Sequence, residues 1–260
     1  MNNKFSLRER IQNGDVLIGM FAKFNNCNAV EMVGLAGFDF VIFDTEHANF
    51  SRGEIENLIR TADSVGMSSI VRVQETTPEE VLHALDSGAD GVQVPGITTI
   101  EQAVEVCRSS KYYPEGDRGS SMAQRSAMYG LWDKDEKYFS YANSHSAVVL
   151  HVENLEMYEK LDELVKIPQL DVVFIGPGDL SQAIGKPGQL DDPELAGMIE
   201  QIIRKSLAAH KAVGIFCGNV ASAKKYIDMG ATYIALGSDV SCFGKALKGL
   251  KSQVNETLSG

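Results

Sequence analysis

Hydrophobic positions along this chain fall into two alternating patterns. Short runs rich in Val, Ile and Phe, closed by Gly, Pro or a charged residue, recur from end to end and read as buried strands. They lie at 16–21, 40–43, 69–73, 91–94, 147–152, 171–175, 212–216 and 233–236, eight in all. Between them the spacing turns helical. Ile55, Leu58, Ile59 and Ala62 fall at i, i+3, i+4 and i+7, one stripe of an amphipathic helix. Thr77-Pro78-Glu79-Glu80 has the form of a helix start, with Thr as N-cap, Pro in the first position and Glu in the third. Gly66, Gly88 and Gly230 follow the ends of three such segments, where Gly takes a left-handed capping conformation at little cost.

Phrases such as Leu85-Asp86-Ser87-Gly88-Ala89-Asp90-Gly91 and Asp228-Met229-Gly230-Ala231-Thr232 repeat one message: helix end, Gly turn, next strand. Eight such units predict a (β/α)8 TIM barrel, an architecture that typically takes about 250 residues. A doubly wound open sheet is the alternative, but no G-x-G-x-x-G follows the first strand. The widest gap, 95–146, is long enough for a helix plus an inserted loop around Tyr112-Tyr113-Pro114-Glu115-Gly116-Asp117-Arg118-Gly119. No Pro- or Ser-rich linker divides the 260 residues, so residues 1–260 are expected to form a single domain. A chain of this size can bury roughly three quarters of its unfolded surface.

Charge narrows the partners. The net charge of -11, from 24 basic and 35 acidic residues, argues against non-specific binding to nucleic acid or to an anionic membrane. No apolar stretch approaches the roughly 18 residues that would span a bilayer. The first ten residues lack the apolar core of a signal peptide. Cys27, Cys107, Cys217 and Cys242 are far apart and form no C-x-x-C pair, which points to reduced packing residues and a cytoplasmic protein.

In a barrel of this kind, function sits on the rim formed by the strand C-termini. Two of the strand-like runs lead to acids there: 147–152 runs into Glu153, and 171–175 leads through Gly176-Pro177-Gly178 to Asp179. A buried carboxylate without a partner is costly, so it is normally paired or bound to a metal. His151 and Glu153 are two apart and share a side of their strand, with Val152 facing outward. Arg72 lies within a strand, where a guanidinium needs an anion; Glu46 and Asp44 are the candidates for a structural ion pair. Two carboxylates that leave room for water and substrate oxygens suit a divalent ion such as Mg²⁺ or Mn²⁺, with Co²⁺ a further option. Such an ion can take both oxygens of a 2-keto acid and stabilise an enolate. No Lys lies in a predicted strand at the usual position for a Schiff base.

Taken together, Phe43-Asp44-Thr45-Glu46-His47, Val71-Arg72-Val73, Tyr113-Pro114-Glu115-Gly116-Asp117-Arg118-Gly119, Val152-Glu153 and Phe174-Ile175-Gly176-Pro177-Gly178-Asp179-Leu180-Ser181 resemble the signatures of the HpcH/HpaI aldolase family, metal-dependent pyruvate aldolases on a TIM barrel. The resemblance implies that Glu153 and Asp179 hold the metal, and that His47 is the base, acting through a water on that metal. It implies that Asp86 orients His47, and that Arg72 stabilises charge developing on the keto oxygen. It also implies that the Gly178 backbone, beside Asp179, meets the pyruvate carboxylate. From the residues alone Asp86 reads as a solvated helix-end residue. One position departs from the family: His151 stands where a Gln usually precedes the metal-binding Glu by two residues. It is expected to bind substrate as a donor to the keto acid, with metal ligation as the alternative. The family also swaps its last helix onto a neighbour, usually in dimers grouped as a hexamer. Phe243, Ala246, Leu247 and Leu250 on one face of the last helix fit that, and a helix closing its own barrel is the alternative.

The expected reaction is reversible aldol cleavage of a 4-hydroxy-2-keto acid to pyruvate and an aldehyde. Decarboxylation of an oxaloacetate-type acid would use the same site. A glycosidase using the paired carboxylates as acid and base should keep its activity in a chelator. A non-catalytic binding barrel is the last alternative, opposed by the combination of His47, Arg72, Glu153 and Asp179.

Overall fold

The computed structural model describes residues 6–259. Along the chain it runs α1 (Leu7–Gln12), β1 (Leu17–Ala22), α2 (Cys27–Leu35), β2 (Phe40–Asp44), α3 (Arg52–Ser64), β3 (Ser68–Arg72), α4 (Pro78–Asp86), β4 (Gly91–Val94) and α5 (Ile100–Ser109). It continues with α6 (Asp135–His145), β5 (Ala147–Val152), α7 (Leu155–Glu159), α8 (Leu161–Leu164), β6 (Val172–Ile175), α9 (Pro177–Ala183) and α10 (Pro193–Ala208). The end is β7 (Ala212–Cys217), α11 (Val220–Asp228), β8 (Tyr233–Ser238) and α12 (Asp239–Ser259). The eight strands pair in chain order, all parallel, and β8 returns to β1 to close the barrel. The expected (β/α)8 architecture is the observed one.

Alternation along each strand sorts the apolar residues into two cores. Phe21, Phe40, Ile42, Ile70, Val149, Val172, Phe174 and Tyr233 point inward and fill the barrel, joined by Leu7 and Ile11 of α1. Val41, Phe43, Val71, Val92, Val148, Val152, Val173 and Ile215 point outward into the layer beneath the helices. Val152 therefore faces away from the barrel axis, as its position between His151 and Glu153 requires. The α3 stripe is buried as expected, and Thr77 caps α4 by accepting a hydrogen bond from the Glu80 N–H. Gly66, Gly88 and Gly230 all adopt positive φ (73°, 93° and 105°) at helix ends.

Two expectations need adjustment. The 95–146 gap holds α5 and the inserted loop, but also a second helix, α6. Only Tyr138, Ala142 and Asn143 of α6 are buried, so its apolar positions do not make a readable stripe. Of the cysteines, Cys107 and Cys217 are buried packing residues, whereas Cys27 and Cys242 are exposed; all four are free. Among the described residues no helix is long and apolar enough to cross a membrane.

Inside the barrel Phe40 stacks on Tyr233, with ring centroids 4.2 Å apart. The ring of Phe40 lies where a Cβ on Gly19, its register partner on β1, would stand. Gly19→Ala should therefore force Phe40 off Tyr233 and cost about 1–3 kcal/mol, as overpacking does. Urea unfolding measures this, and an unchanged midpoint would refute it.

Candidate active site

The C-terminal ends of the strands open onto a cavity of about 230 Å³ lined by Lys23, His47, Arg72, His151, Glu153 and Asp179, with Phe21, Phe174, Gly176, Pro177, Gly178, Phe216 and Ser238. Six of the seven residues singled out in the sequence meet here, and each arrives by a local rule. Arg72 is the last residue of β3, facing inward because Ile70 and Ser68 do. Asp44 ends β2 and sits in register beside Arg72. The pair is a two-point fork: Nε donates to Asp44 Oδ1 at 2.9 Å, and Nη2 lies 2.7 Å from Oδ2. The third guanidinium nitrogen lies 2.8 Å from Glu46 Oε2. Arg72 thus pairs with both candidate anions, and its planar face covers Phe21 at 4.8 Å. Of the five N–H donors of a guanidinium, these contacts leave others free to face the cavity.

Lys23, just past β1, places Nζ 2.9 Å from Asp44 Oδ2. Its backbone and that of Phe24 donate to the carboxylate of Asp239, which fixes the loop. Asp44 also accepts from the His47 N–H at 3.1 Å, so one buried carboxylate positions Arg72, Lys23 and the turn that carries His47. Burial by itself raises the Asp44 pKa, but the hydrogen bonds and charges of Arg72 and Lys23, with the His47 N–H, outweigh it and hold the carboxyl below its ordinary value. The imidazole of His47 projects into the cavity mouth, about half exposed, with Nε2 3.7 Å from Glu46.

Glu153 is held from two sides. Its Oε1 accepts from the Gly96 N–H at 2.7 Å, and Oε2 lies 2.6 Å from His151 Nδ1. Burial pushes its pKa up, while the hydrogen bonds from His151 and the Gly96 N–H and the charge of Arg72 outweigh it and hold the carboxyl below its ordinary value. Asp179 stands in the first turn of α9. A Cβ on Gly176 would lie 3.0 Å from Glu153 Oε2 and 3.7 Å from Asp179 Oδ2, so the missing side chain leaves the two carboxylates facing a common space. That donor set, two hard oxygen ligands beside open volume, fits a divalent ion completed by water and substrate. Among the described residues no group of three or more His, Cys, Asp or Glu side chains forms a metal cage by itself.

Asp86 is placed elsewhere. It ends α4, the helix that carries the chain back to the start of β4, so it lies at the opposite end of the barrel from the rim. Its carboxylate accepts from Arg118 at 2.6 Å, and that guanidinium sits over Tyr112. Within one chain the expected partnership with His47 is not formed. The sequence reading missed Lys23 and Gln93. Gln93 carried a legible signal, a polar residue at an inward position between Val92 and Val94, the same signal that marked Arg72.

The family model of the HpcH/HpaI aldolase/citrate lyase family matches residues 17–246. The chain belongs to this family. It is a carbon–carbon lyase of the aldolase type. Over 248 residues, 95% of each chain, it is 31% identical to the 5-keto-4-deoxy-D-glucarate aldolase of Citrobacter koseri. Among solved structures it is similar to an HpcH/HpaI aldolase/citrate lyase family protein from Burkholderia cenocepacia, with a TM-score of 0.90, 28% identity and coverage of 96% of this chain and 99% of that one. It is also similar to the citrate synthase SbnG, with a TM-score of 0.89, 26% identity and coverage of 98% and 99%.

Because Asp44 is buried and answers two cations, Asp44→Ala should take the two-point partner from a buried guanidinium, leaving it only Glu46, and cost about 3–5 kcal/mol. Chemical unfolding reads that loss. Lys23→Met should cost less, because Lys23 is partly exposed. An Asp44→Ala loss under about 1 kcal/mol, the range of an exposed pair, would contradict this account.

Proposed function

We propose that the protein cleaves a 4-hydroxy-2-keto acid reversibly to pyruvate and an aldehyde, with a divalent metal ion held by Glu153 and Asp179. The observation that carries this reading is the meeting, in one cavity, of two carboxylates around the open space at Gly176 with Arg72 and His47 on the facing side. When bound, the ion would supply Lewis-acid stabilisation of negative charge on the keto acid; Mg²⁺ and Mn²⁺ suit the oxygen ligands best.

The chain's own residues account for the rest. Cleavage breaks the bond between C3 and C4. The 4-hydroxyl loses its proton to His47 as the aldehyde carbonyl forms, and the electron pair left on C3 delocalises onto the keto oxygen. Arg72, clamped by Asp44 and Glu46, cannot swing away and presents its remaining N–H donors to that oxygen. His47 then returns that proton to C3, which gives pyruvate and restores the base. Gly178 lies in the first turn of α9, where backbone N–H groups lack intrahelical acceptors and suit a carboxylate. Asp86 could serve His47 only from a neighbouring copy, since its own His47 stands at the other end of the barrel. The likeness to a citrate synthase supports a second reading, in which the same site works in the carbon–carbon bond-forming direction. The four free cysteines support a cytoplasmic setting.

The test is a metal-supplemented screen of pyruvate against a panel of aldehydes, run with variants. Glu153→Ala and Asp179→Ala should abolish Mn²⁺ binding and activity while circular dichroism stays native. His47→Ala should keep Mn²⁺ and pyruvate binding but lose about 10²–10⁴-fold in rate, the range for a general base. Unchanged Mn²⁺ affinity in either carboxylate variant would remove the metal from this site.

The assembly belongs to the same reading. Val240, Phe243, Leu247, Leu250, Val254 and Leu258 stand exposed along α12, Leu250 at 62%. The helix makes its main contacts with β1 and β8 of its own barrel, leaving that stripe uncovered. On α2, Met32 and Leu35 are exposed as well. An uncovered apolar stripe of this kind marks an interaction surface, which supports exchange of α12 between copies, in dimers grouped as a hexamer. Light scattering should give a multiple of 28.3 kDa at micromolar concentration, and a monomer would contradict the exchange.

A further inference from the structure

His151 occupies a position where both ring nitrogens face protein groups. It is buried between Phe174, on which it stacks at 4.7 Å, and a run of polar groups that crosses two strands into the barrel core. Nδ1 lies 2.6 Å from Glu153 Oε2, and Nε2 lies 2.7 Å from the amide nitrogen of Gln93. Gln93 is fully buried, and its amide oxygen accepts from the hydroxyl of Tyr233 at 3.3 Å. Tyr233 is itself buried and stacked on Phe40.

Donor and acceptor chemistry fixes the direction of this chain. An amide nitrogen only donates. A carboxylate only accepts, so Nδ1, which faces Glu153, carries the ring proton, and the Gln93 amide nitrogen donates to Nε2, the unprotonated nitrogen. The ring proton is left on Nδ1, and it points at Glu153. The tautomer is thus assigned by the groups that face the two ring nitrogens. No N–H remains on the ring for a substrate, and the one lone pair that a metal would need is occupied.

We propose that His151 is a positioning residue for Glu153: Gln93 and Tyr233 hold it as the Nδ1–H tautomer, and it anchors Oε2 so that the carboxylate keeps one orientation toward the metal. This rests on the reading of Glu153 as a metal ligand. The Gly96 N–H restrains Oε1, so each oxygen of Glu153 has one protein donor, and Oε2 lies beside the open space at Gly176. The device has a functional meaning. A carboxylate loses ligand strength when it can rotate, and neighbouring donors to metal ligands typically carry about 10- to 100-fold in affinity or activity.

Three substitutions separate this role from the alternatives. His151→Phe keeps a ring to stack on Phe174 but removes the donor. His151→Asn places an amide N–H near the Nδ1 position, whereas His151→Gln places one near Nε2. Mn²⁺ affinity, measured by titration calorimetry or electron paramagnetic resonance, should fall about 10- to 100-fold in His151→Phe. Asn should rescue most of the loss and Gln should not. Nitrogen-15 spectra of the imidazole in the metal-free wild-type protein should show a single neutral ring protonated at Nδ1, and Gln93→Leu should convert that signature into a mixture of tautomers. Wild-type Mn²⁺ affinity in His151→Phe, rescue by Gln instead of Asn, or an Nε2–H ring in the wild type would each overturn the proposal. So would a His151→Phe enzyme with a raised KM for pyruvate and unaltered Mn²⁺ affinity, because the ring would then serve the substrate directly. If His151→Phe does not fold, the tautomer spectra and the Asn and Gln variants still decide the matter. A wild-type protein that binds no divalent ion would sink the metal reading itself, an outcome distinct from wild-type binding that His151→Phe leaves unchanged.

Discussion

Closing eight parallel strands on themselves forces every second side chain into a space that water does not reach. Most of that space is filled by Phe40, Ile42, Ile70, Val149, Val172, Phe174 and Tyr233. Toward the C-terminal rim the inward positions become Asp44, Arg72, Gln93 and His151, all buried. Polar groups so placed are tolerated only if they satisfy one another. The site's architecture follows from that requirement.

Two networks meet it. On β2 and β3, Asp44 gathers the Arg72 guanidinium, the Lys23 ammonium and the His47 backbone. On β4, β5 and β8, Tyr233, Gln93 and His151 form a line that ends at Glu153. The first network presents positive charge and the half-exposed His47 imidazole to the cavity, and the second presents an oriented carboxylate. Neither network is spare packing, because each buried member would be left unsatisfied without the others. A site with opposite charges on facing walls suits a substrate that is an acid at one end and carries a polarised carbonyl beside it. That is the chemistry expected of an aldolase acting on keto acids.

The periphery follows a different constraint. Helices that cover the barrel bury a stripe against it, as α3 and α10 do with Ile55, Leu58, Ile59, Leu195, Ile199 and Ile202. Over its length α12 does the reverse, showing its apolar stripe to solvent. Asp239, at the start of α12, accepts from the Lys23 and Phe24 N–H groups and so ties that helix to the loop after β1. The loop that carries Lys23 is in this way linked to the helix proposed to leave the barrel.

The amino-acid sequence by itself determined the order of elements, because strand runs, amphipathic stripes and Gly stops are local signals with fixed periods. It also marked most of the residues that stand on the rim. Arg72 and Glu153 follow the inward alternation of β3 and β5, and the Gly176-Pro177-Gly178 turn past β6 carries Asp179 to the same end. What it could not supply was pairing across strands. That Arg72 takes both Asp44 and Glu46, that Lys23 joins them and that Gln93 reaches His151 all depend on the register of neighbouring strands, set by closure of the whole barrel. His151 shows the difference most plainly. Its side of the strand was readable from its spacing to Glu153, but the amide that meets its other ring nitrogen comes from 58 residues away in sequence. Asp86 shows the converse: a motif match located the residue, while the direction of α4 put it at the far end of its own barrel. Local periodicity decides where a side chain starts, and only tertiary closure decides what it meets.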